Sequence, residues 1–347
     1  MVIETNVTKL LGIKKPIINA PMGPFLTTEI CIGVCEAGGL GVVSHTAGPQ
    51  VYEITRLEGM KKNLIEVTEH TDKPFGFNLR TSRNEVDAIE ISKELPKFIM
   101  ENPKLREQVV YAVSSAGSPR VLPASQSFQK LRETTGIKHF HVAPALWLAD
   151  KCVAAGVDGL CCTGSEGGGH QSYEKVSTLV LLQQVRQKYP DLPIVGCGGF
   201  GSGEGLAAVV GMGGGGIVMG TRLISSKESD FHENWKNLIP PAKAGDTRLV
   251  TGTLGPIRLW KNRYCMSHEL VGSKEELMAK EQTFSEEDIQ KNRQPYLKAL
   301  EGETEDSAIL MGQSAGVINS IESIQDILDT IVNDAEKLLK NAYANIK

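Results

Sequence analysis

Short runs of apolar residues alternate along this chain with longer segments of helical period. Runs that are apolar at nearly every position are typical of parallel strands, which are buried on both faces. The chain contains eight such runs, at residues 16–22, 40–45, 75–79, 109–115, 138–144, 157–163, 192–198 and 216–221. Eight strands that alternate with helices predict an α/β fold, a closed (β/α)8 TIM barrel.

The segments between the runs carry the usual signals of helix ends. Segment 28–37 stops at Gly38 and segment 145–155 stops at Gly156, and glycine often ends a helix. An open, doubly wound sheet is the alternative to the barrel. That fold normally carries its glycine fingerprint after the first strand, whereas the glycines of this chain cluster after the last strands. The barrel is therefore the preferred interpretation.

The strand pattern fades after Arg222. We interpret residues 227–239 as the closing helix of the barrel and 240–347 as a mostly helical extension packed on it, which gives domains at 1–239 and 240–347. A helix capped at Ser285 by the acidic segment 285–288 is expected within the extension. Segment 321–339 has one amphipathic face, made of Ile324, Ile327, Leu328, Ile331, Val332, Ala335, Leu338 and Leu339. The extension could cover the barrel mouth or form a homodimer contact, and the sequence pattern does not distinguish between these two roles.

Composition and charge exclude several classes of function. Apolar residues make up 41% and charged residues 22% of the 347 positions, which is ordinary for a soluble globular protein. The net charge of −4 gives no reason to expect nucleic acid or an anionic membrane as a partner. No apolar stretch reaches the ~18 residues that span a bilayer, and no secretory signal is visible. Seven cysteines without CxxC spacing fit free thiols in a cytoplasmic protein without a metal site.

Glycine-rich turns follow the last two predicted strands. Gly198 and Gly199 open the segment GGFGSG, and Gly220 with Thr221 follows the next strand. Glycine lets backbone N–H groups approach an anion closely, and a helix N-terminus adds favourable potential. Loops at this place in a TIM barrel commonly hold a phosphate. The two turns predict a phosphate site, and tight turns without a ligand are the alternative.

His170 follows three glycines after the sixth predicted strand, where barrel enzymes carry catalytic groups. Its ordinary pKa near 6.5 suits proton transfer at neutral pH, so we predict a catalytic role and a rate that depends on a group with a pKa near 6–7. Glu166 in the same segment either orients the loop or His170, or is a solvated carboxylate.

Other residues are weaker candidates. Met22 lies in the proline-rigidified segment PMGP, where its N–H could face a planar ring, although a rigid loop explains the segment equally well. Asn78 is an amide within a buried strand and needs partners, which a ligand or a neighbouring strand could provide. For four further residues structural roles are as well supported as functional ones: Ser114, Ser115, Gly117 and His141.

In combination, these segments resemble the nitronate monooxygenase family, also called 2-nitropropane dioxygenase-like FMN oxidoreductases, to which the enoyl-ACP reductase II enzymes are related. The resemblance covers about residues 8–270, with a weaker echo at 312–316. The matching pieces are NAPMG (19–23), EAGGLGVVS (36–44), FGFNL (75–79), GIKHFH (136–141), AAGVDGL (154–160), GSEGGGH (164–170), GCGGFGSGEGLAAVVGMG (196–213), MGTR (219–222), KESDFHENWK (227–236) and RLWKNRY (258–264).

The resemblance implies a non-covalent FMN in the barrel mouth. By that analogy, backbone groups near Met22 face the flavin ring and Asn78 reaches the ribityl-phosphate region. The phosphate would be held by Gly198, Gly199, Gly220 and Thr221. His170 matches the active-site histidine of the family, which acts as a base or positions substrate next to flavin N5. Thr163 and the segment 171–173 depart from the family pattern on the expected substrate side.

Three functions follow as hypotheses. The first is an FMN-dependent oxidase of alkyl nitronates that uses O2. The second is an NAD(P)H-dependent FMN reductase of enoyl thioesters or quinones. The third is a non-enzymatic barrel that binds a flavin or a phosphate, and His170 argues against it. In the first two cases the partner is a small-molecule substrate.

Overall fold

The computed structural model describes residues 3–23, 25–45, 53–82, 87–252, 255–270, 272–281, 283, 285, 291 and 293–346. All eight predicted runs contain a strand. The strands of the described residues are β1 (Ile17–Asn19), β2 (Gly41–Val43), β3 (Phe75–Arg80), β4 (Val109–Ser115), β5 (Lys138–Ala143), β6 (Gly159–Thr163), β7 (Gly169–His170), β8 (Ile194–Cys197), β9 (Ile217–Met219), β10 (Thr247–Gly252) and β11 (Gly255–Trp260).

Helices separate the barrel strands and cover the outside of the barrel. Those of the described residues are α1 (Asn6–Leu11), α2 (Thr28–Glu36), α3 (Arg56–His70), α4 (Ala88–Glu101), α5 (Pro103–Gln108), α6 (Val121–Ala124), α7 (Gln126–Thr135), α8 (Leu146–Ala154), α9 (Thr178–Lys188), α10 (Gly203–Gly211), α11 (Thr221–Ile224), α12 (Glu233–Leu238), α13 (Arg263–Met266), α14 (Lys274–Glu281), α15 (Gln294–Leu300) and α16 (Ile324–Ala344). None of them is both long and apolar enough to cross a membrane.

The eight parallel strands form a closed barrel. Their order in the sheet is β1-β9-β8-β6-β5-β4-β3-β2. The two ends of this sheet meet, because Leu40 N–H donates to Ile17 O at 2.9 Å and Asn19 N–H donates to Leu40 O at 3.1 Å. The buried Asn19 amide adds a bond from Nδ2 to Val42 O at 3.1 Å. Closure excludes the open sheet and confirms the (β/α)8 barrel.

The C-terminal helix, rather than the helix predicted to close the barrel, completes the helical ring. Within the predicted segment 227–239, the helix α12 covers only Glu233–Leu238. Helix α16 packs instead against α2 and α10, the helices that follow the first strand and the seventh barrel strand. Its predicted face is buried from Ile324 to Ala335, whereas Leu339 is half-buried and Leu338 is 38% exposed. The prediction that 227–239 closes the barrel was wrong because the amphipathic face of 321–339 does not by itself identify the helices on which it packs.

The extension also contains a β-hairpin that the sequence pattern did not predict. Strand β10 pairs antiparallel with β11, and β11 pairs antiparallel with the two-residue β7. The hairpin therefore reaches the segment that carries His170. The predicted cap at 285–288 lies largely outside the described residues, and the division into domains at 1–239 and 240–347 stays a prediction.

Candidate active site

A cavity of about 1290 Å³ opens at the carboxyl ends of the barrel strands. Every residue proposed from the sequence as catalytic or cofactor-binding lines it: Met22, Asn78, His170, Gly198, Gly199, Gly220 and Thr221. The structure thus brings together residues from β1, β3, β7 and the loops after β8 and β9. This is the mouth at which TIM barrels place their active sites.

The two glycine turns present backbone donors to this cavity. Gly198 and Gly199 adopt φ values of 87° and 86°, a region that side chains disfavour. A Cβ at Gly198 would lie 2.8 Å from Gly167 N, so that glycine also permits close approach of the two loops. In the described part of the chain, the N–H groups of Gly199, Phe200, Gly220 and Thr221 donate to no protein acceptor.

The C-terminal segment completes the wall beside the second turn. Gly312 N–H donates to Thr221 Oγ1 at 3.0 Å, and Ser314 and Leu310 line the cavity. The short 3-10 helix Gln313–Val317 contains the weak family echo noticed in the sequence. Its position explains that echo, because this segment lies against the loop that carries Glu166, whose carbonyl accepts from Gln313 N–H at 2.8 Å.

His170 lies on β7 in register with Ile257 of the hairpin. His170 is exposed to the open cavity. The protein that surrounds the mouth still reduces its hydration, and this lowers the pKa of His170 to about 4. The nearby Arg80 guanidinium lowers the pKa further. His170 is therefore neutral at pH 7 and can accept a proton. The pKa near 6–7 expected from the sequence differs because enclosure by the barrel mouth cannot be seen in the local sequence.

Glu166 orients its loop and does not touch His170. Its carboxylate accepts from Thr178 N at 2.9 and 3.1 Å and from Thr178 Oγ1 at 3.1 Å, which ties the loop to the start of α9. Buried Arg258 of β11 donates from Nε to Ser165 O at 2.8 Å. Of the roles left open by the sequence, the structure favours loop orientation.

Met22 and Asn78 both have protein partners. Met22 N–H donates to Ser44 Oγ at 3.0 Å, so this donor is already used within the protein. Asn78 Nδ2 donates to Val113 O at 2.9 Å and to Ser115 Oγ at 3.1 Å, which leaves its Oδ1 toward the cavity. The neighbouring strand β4 thus accepts the hydrogen bonds of the Asn78 side-chain nitrogen.

The weaker candidates divide between the cavity and the barrel exterior. Ser115 and Gly117 line the cavity. Ser114 Oγ instead lies 2.7 Å from His139 Nε2 and 2.7 Å from His141 Nδ1, in a buried pair of contacts away from the cavity. Burial lowers the pKa of His141 to about 4, so this histidine is neutral and structural.

Sequence reasoning missed the charge of the cavity. Among its described lining residues are the cations Arg80, Arg120 and Lys151, and no Asp or Glu. This bias contrasts with a chain that carries 41 acidic and 37 basic residues. Arg80 ends β3, whereas Arg120 and Lys151 follow β4 and β5, and each by itself resembles an ordinary surface charge. Only their convergence reveals an electropositive mouth.

Fold and site together define a TIM-barrel enzyme with two donor-rich glycine turns and a neutral histidine at its mouth. A family model described as nitronate monooxygenase matches residues 4–334, so the chain belongs to the nitronate monooxygenase family and is an oxidoreductase.

Individual relatives differ in how much of the chain they match. The chain is 26% identical to a (3aS,4S,5R,7aS)-5-hydroxy-7a-methyl-1-oxo-octahydro-1H-indene-4-carboxyl-CoA dehydrogenase of Mycobacterium tuberculosis over 100% of both chains. It is 28% identical to a nitronate monooxygenase of Paraburkholderia phytofirmans over 71% of this chain and 73% of that protein. The solved structure of FabK from Thermotoga maritima is 28% identical, with a TM-score of 0.79, and the match covers 99% of this chain and 100% of FabK.

Proposed function

We propose that the protein is an FMN-dependent oxidoreductase that acts on an acyl thioester, with His170 moving a proton. The observation that carries the proposal is the combination in one cavity of unpaired backbone donors, a neutral imidazole and more space than one ligand needs.

The residues present fit a flavin mononucleotide. Unpaired N–H groups at Gly199, Phe200, Gly220 and Thr221 would donate to a terminal phosphate, as donors at glycine turns and helix starts commonly do. Within the described cavity wall, the buried Gln171 Oε1 and Trp235 Nε1 lack partners, a condition expected where a polar ligand belongs. A bound flavin would supply the electron transfer.

The residues that line the cavity would have different roles, according to where they lie. The phosphate would be held by Gly198, Gly199, Gly220 and Thr221. Met22 would form the wall beside the flavin ring, and Asn78 Oδ1 would accept from the cofactor or its ribityl chain. His170 is neutral at pH 7 and would take a proton from the substrate, with its ring held in place by the pairing of β7 with β11.

Size favours a thioester over a small nitronate. Ligand pockets typically measure about 300–1,000 Å³, and this cavity is about 1290 Å³. Such a volume can hold a cofactor together with a long substrate. The M. tuberculosis relative, whose name is that of a dehydrogenase of a hydroxylated indene-carboxyl-CoA, also aligns along the whole chain.

Oxidation of alkyl nitronates with O2 is the second candidate. It is favoured by the description of the matching family model and by the name of the P. phytofirmans relative. A nitronate is an anion, and an electropositive cavity would also attract it. Charge therefore does not separate the candidates, and the preference for a thioester rests on the size of the cavity.

Anaerobic stopped-flow absorbance of the FMN-loaded protein tests the proposal. NADH, NADPH, a hydroxyacyl-CoA and an alkyl nitronate would each be added alone, and enoyl-CoA would be added to photoreduced protein. We expect NAD(P)H or the hydroxyacyl-CoA to bleach the flavin, or enoyl-CoA to restore its absorbance, faster than the nitronate reacts.

Bleaching by the nitronate without any response to the thioesters or NAD(P)H would replace the proposal with the second candidate. Absence of a response to every compound, in protein shown to hold FMN, would contradict an enzymatic role.

A further inference from the structure

The cations of the cavity lie across the mouth from the predicted phosphate loops. Arg120 follows β4 and Lys151 lies on α8 after β5, whereas the glycine turns follow β8 and β9. In the closed barrel β6 separates β5 from β8, and β6 and β8 separate β5 from β9. The positive charge is therefore placed for a second anion, not for the phosphate on the glycine turns.

An exposed aromatic ring stands among these cations. Trp147, the second residue of α8, lines the cavity and is 45% exposed. Lys151 Nζ lies 4.8 Å from its ring centroid, and Lys274 Nζ, from α14 in the C-terminal segment, lies 5.7 Å away. An indole at a cavity mouth offers a flat face for stacking, and flexible lysines beside it can follow phosphate oxygens.

We propose that Trp147, Lys151, Lys274 and Arg120 form a subsite for an adenosine diphosphate group. The adenine would stack on Trp147 and the phosphates would contact the cations. This group is common to coenzyme A and to NAD(P)H, and either would reach from the rim toward His170 within one cavity. The adenosine of FAD would instead continue from the glycine turns on the other side. The proposal rests on the proposed function only in assigning the reactive end of the ligand to His170.

Anaerobic calorimetric titration of FMN-loaded, photoreduced protein with coenzyme A, pantetheine, NADH and NADPH tests the subsite without turnover, because a reduced flavin accepts no hydride. Trp147→Leu is expected to raise the Kd of an adenosine-containing ligand about ten-fold, the usual size of one lost base–aromatic stack, while Trp147→Phe keeps most of the affinity. Lys151→Gln is expected to raise the Kd about three-fold, and added salt should weaken binding to the native protein.

Lys130→Gln is the matched control, because Lys130 is exposed on α7 and does not line the cavity. Its Kd values should equal those of the native protein, and pantetheine binding should be the same in all variants. A Trp147 effect on coenzyme A alone assigns the subsite to the thioester substrate, and an effect on NADH or NADPH alone assigns it to the nicotinamide cofactor.

Equal affinity of native protein and Trp147→Leu for all adenosine-containing ligands would overturn the subsite. So would failure of these ligands to bind native protein that holds FMN. Equal affinity of the two proteins would leave the flavin reactions of the stopped-flow experiment unaffected, whereas absence of binding would count against those reactions as well. The comparison of Trp147→Leu with native protein therefore distinguishes failure of the subsite from failure of the proposed function.

Discussion

His170→Asn should retain FMN and lose about 10²–10⁴-fold in turnover, the usual contribution of general acid–base catalysis. The histidine lies on β7 and belongs to neither glycine turn, so we expect its loss to spare phosphate binding. Asparagine keeps hydrogen-bonding capacity but cannot accept a proton near neutral pH. Flavin content and steady-state kinetics of the two proteins, measured side by side, give the comparison.

The pH profile separates a base from a structural histidine. Because the pKa of His170 is lowered to about 4, the imidazole stays neutral and active as a base above that value and becomes inactive as it is protonated below it. We expect native turnover to change little between about pH 6 and 8 and to fall as pH approaches 4. The turnover of the variant should not show this decrease at low pH. Native-like turnover in His170→Asn would remove the residue from the chemistry.

Gly220→Val should weaken FMN binding ten-fold or more while the protein stays folded. The loss of one or two charge-assisted hydrogen bonds, about 1.5–3 kcal/mol each, accounts for this size. At Gly220, φ is −107°, and an added Cβ would meet nothing closer than Met22 Sδ at 3.4 Å. The valine side chain should therefore weaken FMN binding more than it destabilises the fold. Flavin fluorescence titration measures the change in the FMN dissociation constant.

Gly211→Val is the control for this substitution. Gly211 ends α10, and an added Cβ there has nothing within 4 Å. Its FMN dissociation constant should equal that of the native protein. An unchanged constant in a folded Gly220→Val protein would place the phosphate elsewhere.

The barrel strands could be predicted because strands buried on both faces are apolar at nearly every position. Strand β4 has the predicted bounds, Val109–Ser115. The hairpin could not be predicted in the same way, since β10 is only half-buried and its strand pattern includes Arg248. Its partner β7 has two residues and is stabilised as a strand only by tertiary pairing.

The site was predictable where chemistry depends on local sequence. Glycines after a strand indicate backbone donors wherever the rest of the chain lies. By contrast, the low pKa of His170 depends on enclosure by the whole mouth, and the positive charge depends on the convergence of Arg120 and Lys151 from separate loops. Trp147 was missed for a related reason, because one aromatic residue at a helix start is equally typical of a buried core.

The identity of the bound cofactor tests the central claim most directly. The purified protein would be denatured, and the released chromophore separated by chromatography against FMN and FAD standards. The four unpaired N–H groups of the glycine turns predict a yellow protein that releases FMN, about one molecule per chain. Release of FAD would contradict the choice of flavin, and a colourless protein that cannot be reconstituted with FMN would contradict the account as a whole.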